Sequence, residues 1–279
     1  MGEALLSGLL RAGRQVRDIT VVERLPDRAQ YLIDTYSVSV SSLTDAVETA
    51  TFVIVAVKPS DIESVVSEIA RVAGEADSGS AEQVVVTIAA GATTGYFESR
   101  LPAGTPVVRV MPNAPSLVGA GISALAGGRF ATPEQLKEVS ALFDSVGAVL
   151  TLPEAQLDAV TAVSGSGPAY FLLLVEALVD AAVGVGLSRQ VAMELVATTM
   201  AGSAAMLIDR MEQERGAHDR TTGLRVETTA AQLRATVTSP GGTTAAALRE
   251  LERGGLRAAV DGAVRAAKAR AEQLRMTAE

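Results

Sequence analysis

The stretch VTSPGGTTAAALREL, Val237 to Leu251, crowds Ser239, Thr243 and Thr244 around Pro240 and the Gly241-Gly242 pair. Paired glycines allow a tight backbone turn, and a helix starting at Thr243 or Thr244 presents its free N–H groups there. Hydroxyls and N–H groups converging on one point make a receptor for a carboxylate. A second small-residue turn, VSGSGPAY (Val163 to Tyr170), also runs into a helix. Ser164 and Gly165 in it would let a flat ring approach the backbone, or let two helices pack closely.

Three further stretches flank apolar runs. AVKP (Ala56, Val57, Lys58, Pro59) and MPN (Met111, Pro112, Asn113) each end one. In an open parallel sheet, ligands bind beyond the carboxyl ends of the strands, which is where these residues fall. In VVERLPDR, Glu23 suits a free ribose 2′-hydroxyl and so NAD, whereas Arg24 suits a 2′-phosphate and so NADP. The opening MGEALLSGLLRAG sets Gly2 at the start of an apolar helix, whose N-terminus suits a pyrophosphate.

What the chain lacks also limits its chemistry. It has no Cys, one His and three Lys: Lys58, Lys137 and Lys268. A Ser-His-Asp triad, a His-rich metal site and any Cys-ligated metal are excluded as the working centre. His218, in ERGAHDRTTG, reads as a loop residue. An enzyme built this way must run a reaction that asks little proton transfer of its side chains.

The positioning elements differ between the two halves. Apolar runs at Asp18–Arg24, Ala50–Pro59, Glu82–Gly91 and Thr105–Asn113 alternate with amphipathic stretches such as SDIESVVSEIARVAG. That alternation predicts a parallel sheet covered on both faces by helices. From about Leu152 onward the pattern is helical and rich in Ala and Gly, with Ser188 as an N-cap before a long helix. The predicted fold is thus an α/β Rossmann-like domain over residues 1–152, followed by an all-α domain over 153–279. Helices apolar on several sides need partners, so an intertwined helical dimer is expected.

The 279 residues are 48% hydrophobic and 3% aromatic, with net charge -8 and pI near 4.9. This acidity argues against nucleic acid and anionic membrane surfaces. The most apolar stretch, Ala159 to Val175, is broken by Gly165, Gly167 and Pro168 and runs into Glu176 and Asp180. It reads as a buried helix of a soluble, cytoplasmic protein.

Taken together, these residues resemble the pyrroline-5-carboxylate reductase family along essentially the whole chain. LRATVTSPGGTTAAALRELERGG fits that family's signature segment, and VAVKP, RVMPN and AVSGSGPAYFLLLVEAL follow in the right order and spacing. The resemblance implies a Rossmann domain followed by a dimerisation domain, with assembly into dimers or larger oligomers. It implies hydride transfer from NADPH, or NADH, to the C=N bond of 1-pyrroline-5-carboxylate, giving L-proline. By the same resemblance, Thr244 hydrogen-bonds the ring nitrogen. Ser239 and the turn of Gly241, Gly242 and Thr243 hold the carboxylate, and Glu227 borders the pocket. Gly2, Arg24, Ala56, Val57, Lys58, Pro59, Met111, Pro112, Asn113, Ser164 and Gly165 line the cofactor site.

The family's glycine-rich turn, G-x-G-x-M-G, and the strand before it would precede the first helix here, and Met1-Gly2 matches the last two positions of that turn. A longer natural N-terminus is therefore expected, its strand being central in a sheet ordered 3-2-1-4-5. Two rivals remain. The β-hydroxyacid dehydrogenases use a lysine after the domain junction, yet no Lys lies between Lys137 and Lys268. A non-catalytic cofactor-binding homologue is the other, supported only by the missing front.

Overall fold

The computed structural model describes residues 1–75, 83–217 and 229–276. His218 and Glu227 lie outside the described residues. Packing divides the chain into two compact units: residues 1–168 together with 264–279, and residues 169–263.

The first unit begins with α1 (Gly2–Arg11), then β1 (Thr20–Val21), α2 (Pro26–Tyr36), β2 (Ser39–Val40), α3 (Leu43–Thr49), β3 (Phe52–Val55) and α4 (Ile62–Glu75). After these come β4 (Val84–Thr87), α5 (Thr94–Glu98), β5 (Val107–Met111), β6 (Gly121–Gly127), α6 (Pro133–Phe143), β7 (Gly147–Thr151) and α7 (Leu157–Val160). β1 and β2 form a parallel pair, while β3-β4-β5-β6-β7 form a five-stranded sheet. No ladder joins β1 to β3 among the described residues.

The all-parallel sheet expected from the apolar runs is corrected at one place: β5 and β6 are antiparallel, with Arg109 opposite Ala126 and Met111 opposite Ala124. Only Pro112 to Ala120 connect them. A parallel return needs a crossover of a dozen or more residues, so a connection this short turns the chain back. β6 pairs parallel to β7 across α6.

The sheet is apolar on both faces, as its runs require. On one side Ile62, Val66, Ile69 and Val72 of α4 pack with Val85 and Val107 and with Phe97 of α5. On the other, Leu5 and Leu9 of α1 and Val139, Leu142 and Phe143 of α6 cover Val84, Val86, Val108 and Leu125. α6 starts with a capping box in which Thr132 and Gln135 satisfy each other's backbone N–H groups.

The second unit holds most of α8 (Gly167–Gly184), α9 (Arg189–Ala217), α10 (Thr229–Thr236), α11 (Thr243–Arg253) and the start of α12 (Leu256–Gln273). Ser188 caps α9, accepting from Val191 N–H at 3.3 Å. Among its described residues this unit buries little within the chain: Val175, Val179 and Ala192 form its core. Within the single chain α8 leaves Phe171, Leu172 and Leu173 exposed at 61, 57 and 66%. α9 likewise exposes Leu195, Met206 and Ile208. The apolar side chains surround both helices, and one packed seam covers only part of that circumference.

Candidate functional site

The carboxyl ends of the strands in the first unit gather most of the expected cofactor-site residues. Gly2 opens α1 beside Ala56, just past β3: a Cβ on Gly2 would stand 3.1 Å from the Ala56 Cβ. No side chain caps this helix end, so its first N–H groups remain available to an anion. Val57 is half-buried, and Lys58 and Pro59 are exposed in the turn that follows. Arg24, after β1, reaches that turn and pairs with Asp61, Nη2 to Oδ2 at 3.2 Å. Glu23 is turned back on its own backbone, accepting from Leu25 N–H at 3.0 Å.

A cluster the sequence reading missed stands beside this helix end. Glu3 accepts from the Arg28 guanidinium, from Tyr36 Oη at 2.9 Å and from Tyr31 Oη at 3.1 Å. The Arg28 contact, helped by both tyrosines, holds the Glu3 carboxyl below the usual carboxylate range against an opposing desolvation. An acidic residue in the first turn also suits the helix dipole. The cluster ties α1 to α2.

At the end of β5 the structure brings two sequence motifs together. Asn113 is buried, and its Nδ2 donates to the Ser164 carbonyl at 3.2 Å while its Oδ1 accepts from Ile122 N–H at 2.9 Å. A Cβ on Gly165 would fall 2.8 Å from the Met111 Cε. Residues Thr161–Gly165 form a π-turn between α7 and α8 that carries Ser164 and Gly165 to the strand end. Pro112 is buried between Met111 and Asn113. Asn113 is therefore committed to protein partners and shapes the site rather than offering it a free amide.

Below this strand end lies a buried ionic network, also missed from sequence. Arg109, two residues before Met111, is 3% exposed. Its Nη1 stands 3.4 Å from Glu154 Oε1 and its Nη2 stands 3.4 Å from Asp158 Oδ1. Glu154 also accepts from Thr94 N–H at 2.7 Å and Thr94 Oγ1 at 2.6 Å. Asp158 is 2% exposed and takes a second cation, Arg275, whose Nε donates at 3.1 Å. Asp158 raises the Arg275 pKa further. Past α12, Met276 N–H donates to the Gly91 carbonyl at 2.7 Å, and Thr93 Oγ1 donates to the Met276 carbonyl at 2.9 Å.

The residues expected from the sequence to receive a carboxylate lie in the second unit. Gly242 N–H donates to the Ser239 carbonyl at 3.1 Å, and Gly241 has φ +70°. With Pro240 at the second position and Gly241 at the third, Ser239–Gly242 is a type II turn, which needs a residue tolerant of positive φ at that place. The turn delivers Gly242 as the N-cap of α11, with no side-chain cap. The Gly242 N–H is thus occupied, and the first-turn N–H groups of Thr243 and Thr244 are left to meet an anion. Ser239 is exposed and Thr244 half-buried. Thr238 lines a groove of about 390 Å³ with Arg234, Leu248, Arg249 and Glu252.

A Rossmann-like sheet with an open helix N-terminus and nearby cations, followed by a helical unit, is the architecture of a dinucleotide-dependent oxidoreductase class. Residues 154–274 match the family model described as pyrroline-5-carboxylate reductase dimerisation, and residues 1–91 match that described as NADP oxidoreductase, coenzyme F420-dependent. The pyrroline-5-carboxylate reductase of Mycobacterium tuberculosis (strain ATCC 25618 / H37Rv) is 72% identical over 280 residues, covering 100% of this chain and 95% of that one. That of Mycobacterium leprae is 69% identical over the same shares. A solved reductase structure from Coxiella burnetii superposes with TM-score 0.86 at 32% identity, covering 99% of this chain and 95% of that one. A Plasmodium falciparum pyrroline carboxylate reductase with NADP bound gives TM-score 0.79 at 27% identity, with the same shares. The chain belongs to the pyrroline-5-carboxylate reductase family.

Proposed function

We propose that this protein reduces 1-pyrroline-5-carboxylate to L-proline with NADPH, the last step of proline synthesis. The observation that carries the reading is the uncapped N-terminus of α11 behind the Ser239–Gly242 turn, in a chain of this family. It offers two free N–H groups and the hydroxyls of Ser239, Thr243 and Thr244 to one small carboxylate.

The residues of the first unit fit an anionic dinucleotide. The open end of α1, the close approach at Gly2 and the cations Arg24, Arg28 and Lys58 suit phosphates. Arg24 supports NADPH over NADH, since its exposed pair with Asp61 can yield to a 2′-phosphate. The glycine at 165 beside Met111 suits a flat ring. Bound NADPH would supply hydride.

The remaining work suits the side chains present. A cyclic imine becomes an iminium by taking a proton from water, and an iminium accepts hydride without a strong general acid. Thr244 would orient the ring nitrogen, while Ser239 and the N–H groups of Thr243 and Thr244 would anchor the carboxylate. Orientation of this kind contributes up to roughly 7–11 kcal/mol to lowering a barrier.

The functional division proposed is residues 1–152 for cofactor and 153–279 for substrate and dimerisation, supported by the family match that begins at 154. A second copy of this chain is the proposed cover for the apolar residues of α8 and α9. Two helical spans, Glu154–Gly184 and Arg189–Glu214, are long and apolar enough to cross a membrane. The exposed Glu176, Asp180 and Glu194 on them favour a protein partner, and a cytoplasmic location, because a carboxylate in hydrocarbon is costly. The test is NADPH oxidation dependent on pyrroline-5-carboxylate, with proline measured as product.

A further inference from the structure

We infer that Arg109, Asp158 and Arg275 form a positioning clamp that sets the Thr161–Gly165 π-turn against the end of β5, with the C-terminal residues as its third jaw. The inference rests on the cofactor-site reading above. β5 is tied to the segment after β7 at two places: Arg109 holds Asp158 through a 3.4 Å contact, and Asn113 holds the Ser164 carbonyl at 3.2 Å. Asp158 stands three residues before the π-turn and Ser164 lies within it, while Arg109 and Asn113 bracket Met111. Gly165 and Met111, which meet at a Cβ-equivalent distance of 2.8 Å, are therefore fixed from both sides.

Arg109 alone does not balance this network. Two carboxylates, Glu154 and Asp158, share its guanidinium, and Asp158 is nearly fully buried. A buried carboxylate needs a second charged or hydrogen-bonding partner, and Arg275 supplies it with two N–H groups on Asp158 Oδ2. Arg275 is held in turn by its neighbour Met276, which pairs beside Ala92 and bonds to Gly91 and Thr93. A Cβ on Gly91 would lie 2.3 Å from the Leu274 carbonyl, so the tail lies directly on that loop. None of these residues belongs to the cofactor or substrate sites proposed above; they act through Ser164, Gly165 and Met111.

The experiment compares Arg275→Gln and Arg275→Lys with the unsubstituted protein. Arg275 is partly exposed, so both variants should fold. The first readout is amide hydrogen exchange of the cofactor-free protein over residues 157–165. The second is kcat, KM for pyrroline-5-carboxylate and the primary isotope effect with deuterated NADPH. Arg275→Gln should exchange faster over 157–165 and lose about tenfold in kcat, with an increased isotope effect and KM within about twofold. Arg275→Lys should recover most of the rate. Unchanged exchange over 157–165, or a changed Tm with kcat and isotope effect intact, would overturn the clamp. If the unsubstituted protein does not reduce the imine, the functional reading fails, while the exchange comparison still decides the clamp.

Discussion

Asn113 and Ser164, 51 residues apart in sequence, are joined by a side-chain amide donating to a backbone carbonyl at 3.2 Å. The same amide accepts from Ile122 N–H, so one buried side chain fixes β5, β6 and the π-turn after α7. Replacing Asn113 with Ala leaves one donor and one acceptor without their partner. Each such group costs about 1–3 kcal/mol, so Asn113→Ala should destabilise by about 2–6 kcal/mol in urea unfolding. Asn113→Asp keeps the acceptor for Ile122 but sets a buried carboxylate oxygen against the Ser164 carbonyl, and should destabilise at least as much.

Gly165 is a different kind of constraint. Alanine there would press on the Met111 Cε, the far end of a flexible side chain that can swing away. Stability of Gly165→Ala should change by less than about 1 kcal/mol. The displaced methionine and the added methyl would intrude where the ring of the cofactor is proposed to lie, raising the KM for NADPH several-fold. Equal KM values in the two proteins would remove Gly165 from the cofactor site.

Thr244 tests the substrate end. Thr244→Val keeps the shape and removes the hydroxyl, and should lower kcat/KM for pyrroline-5-carboxylate by about 10²-fold, within the range for a positioned hydrogen-bonding group. NADPH affinity, measured by fluorescence, should stay the same. Thr244→Ser should retain most of the activity.

The two groups of site residues differ in how far the sequence disclosed them. TSPGGTT and RVMPN are legible because turn chemistry is local: Pro240-Gly241 writes a type II turn and Pro112 ends a strand. β6 and β7 were not. Gly121–Gly127 is built of small residues with little of the β-branched content that marks the other strands. The Arg109–Asp158 and Arg275–Asp158 contacts span 49 and 117 residues, and no periodicity links such partners. Glu3 and Arg28 meet for the same reason, through the packing of α1 beside α2. That α8 and α9 are apolar on several sides, and so need cover beyond their own chain, was legible in the sequence; which side chains stay exposed was not.

Those helices carry the prediction for assembly. Leu173 on α8 and Leu195 on α9 are 66 and 52% exposed. A Leu173→Glu, Leu195→Glu double variant places two charges on surfaces proposed to meet a second copy. Light scattering should report a dimer or larger assembly for the unsubstituted protein and a monomer for the variant. An unchanged mass would place the interface elsewhere.

Acid should weaken the contact between α3 and α4. Glu68 accepts from Arg71 and from Thr44 Oγ1 at 2.9 Å, and the Arg71 bond leads in holding its pKa at about 2 against an ordinary 4.5. A folded pKa below the unfolded one gives stability that is fully present above about 4.5 and lost as pH falls toward about 2. Thermal unfolding of Glu68→Gln should show a smaller decline than the unsubstituted protein across that window. Because the group is solvent-exposed, the difference should shrink as salt is added.

The most direct test of the whole account is the reaction itself: NADPH absorbance followed with and without pyrroline-5-carboxylate, with NADH in a parallel assay and proline quantified at the end. Imine-dependent oxidation of NADPH is expected, faster than of NADH, with one proline formed per cofactor oxidised. A folded, self-associated protein that oxidises neither cofactor in the presence of the imine would contradict it.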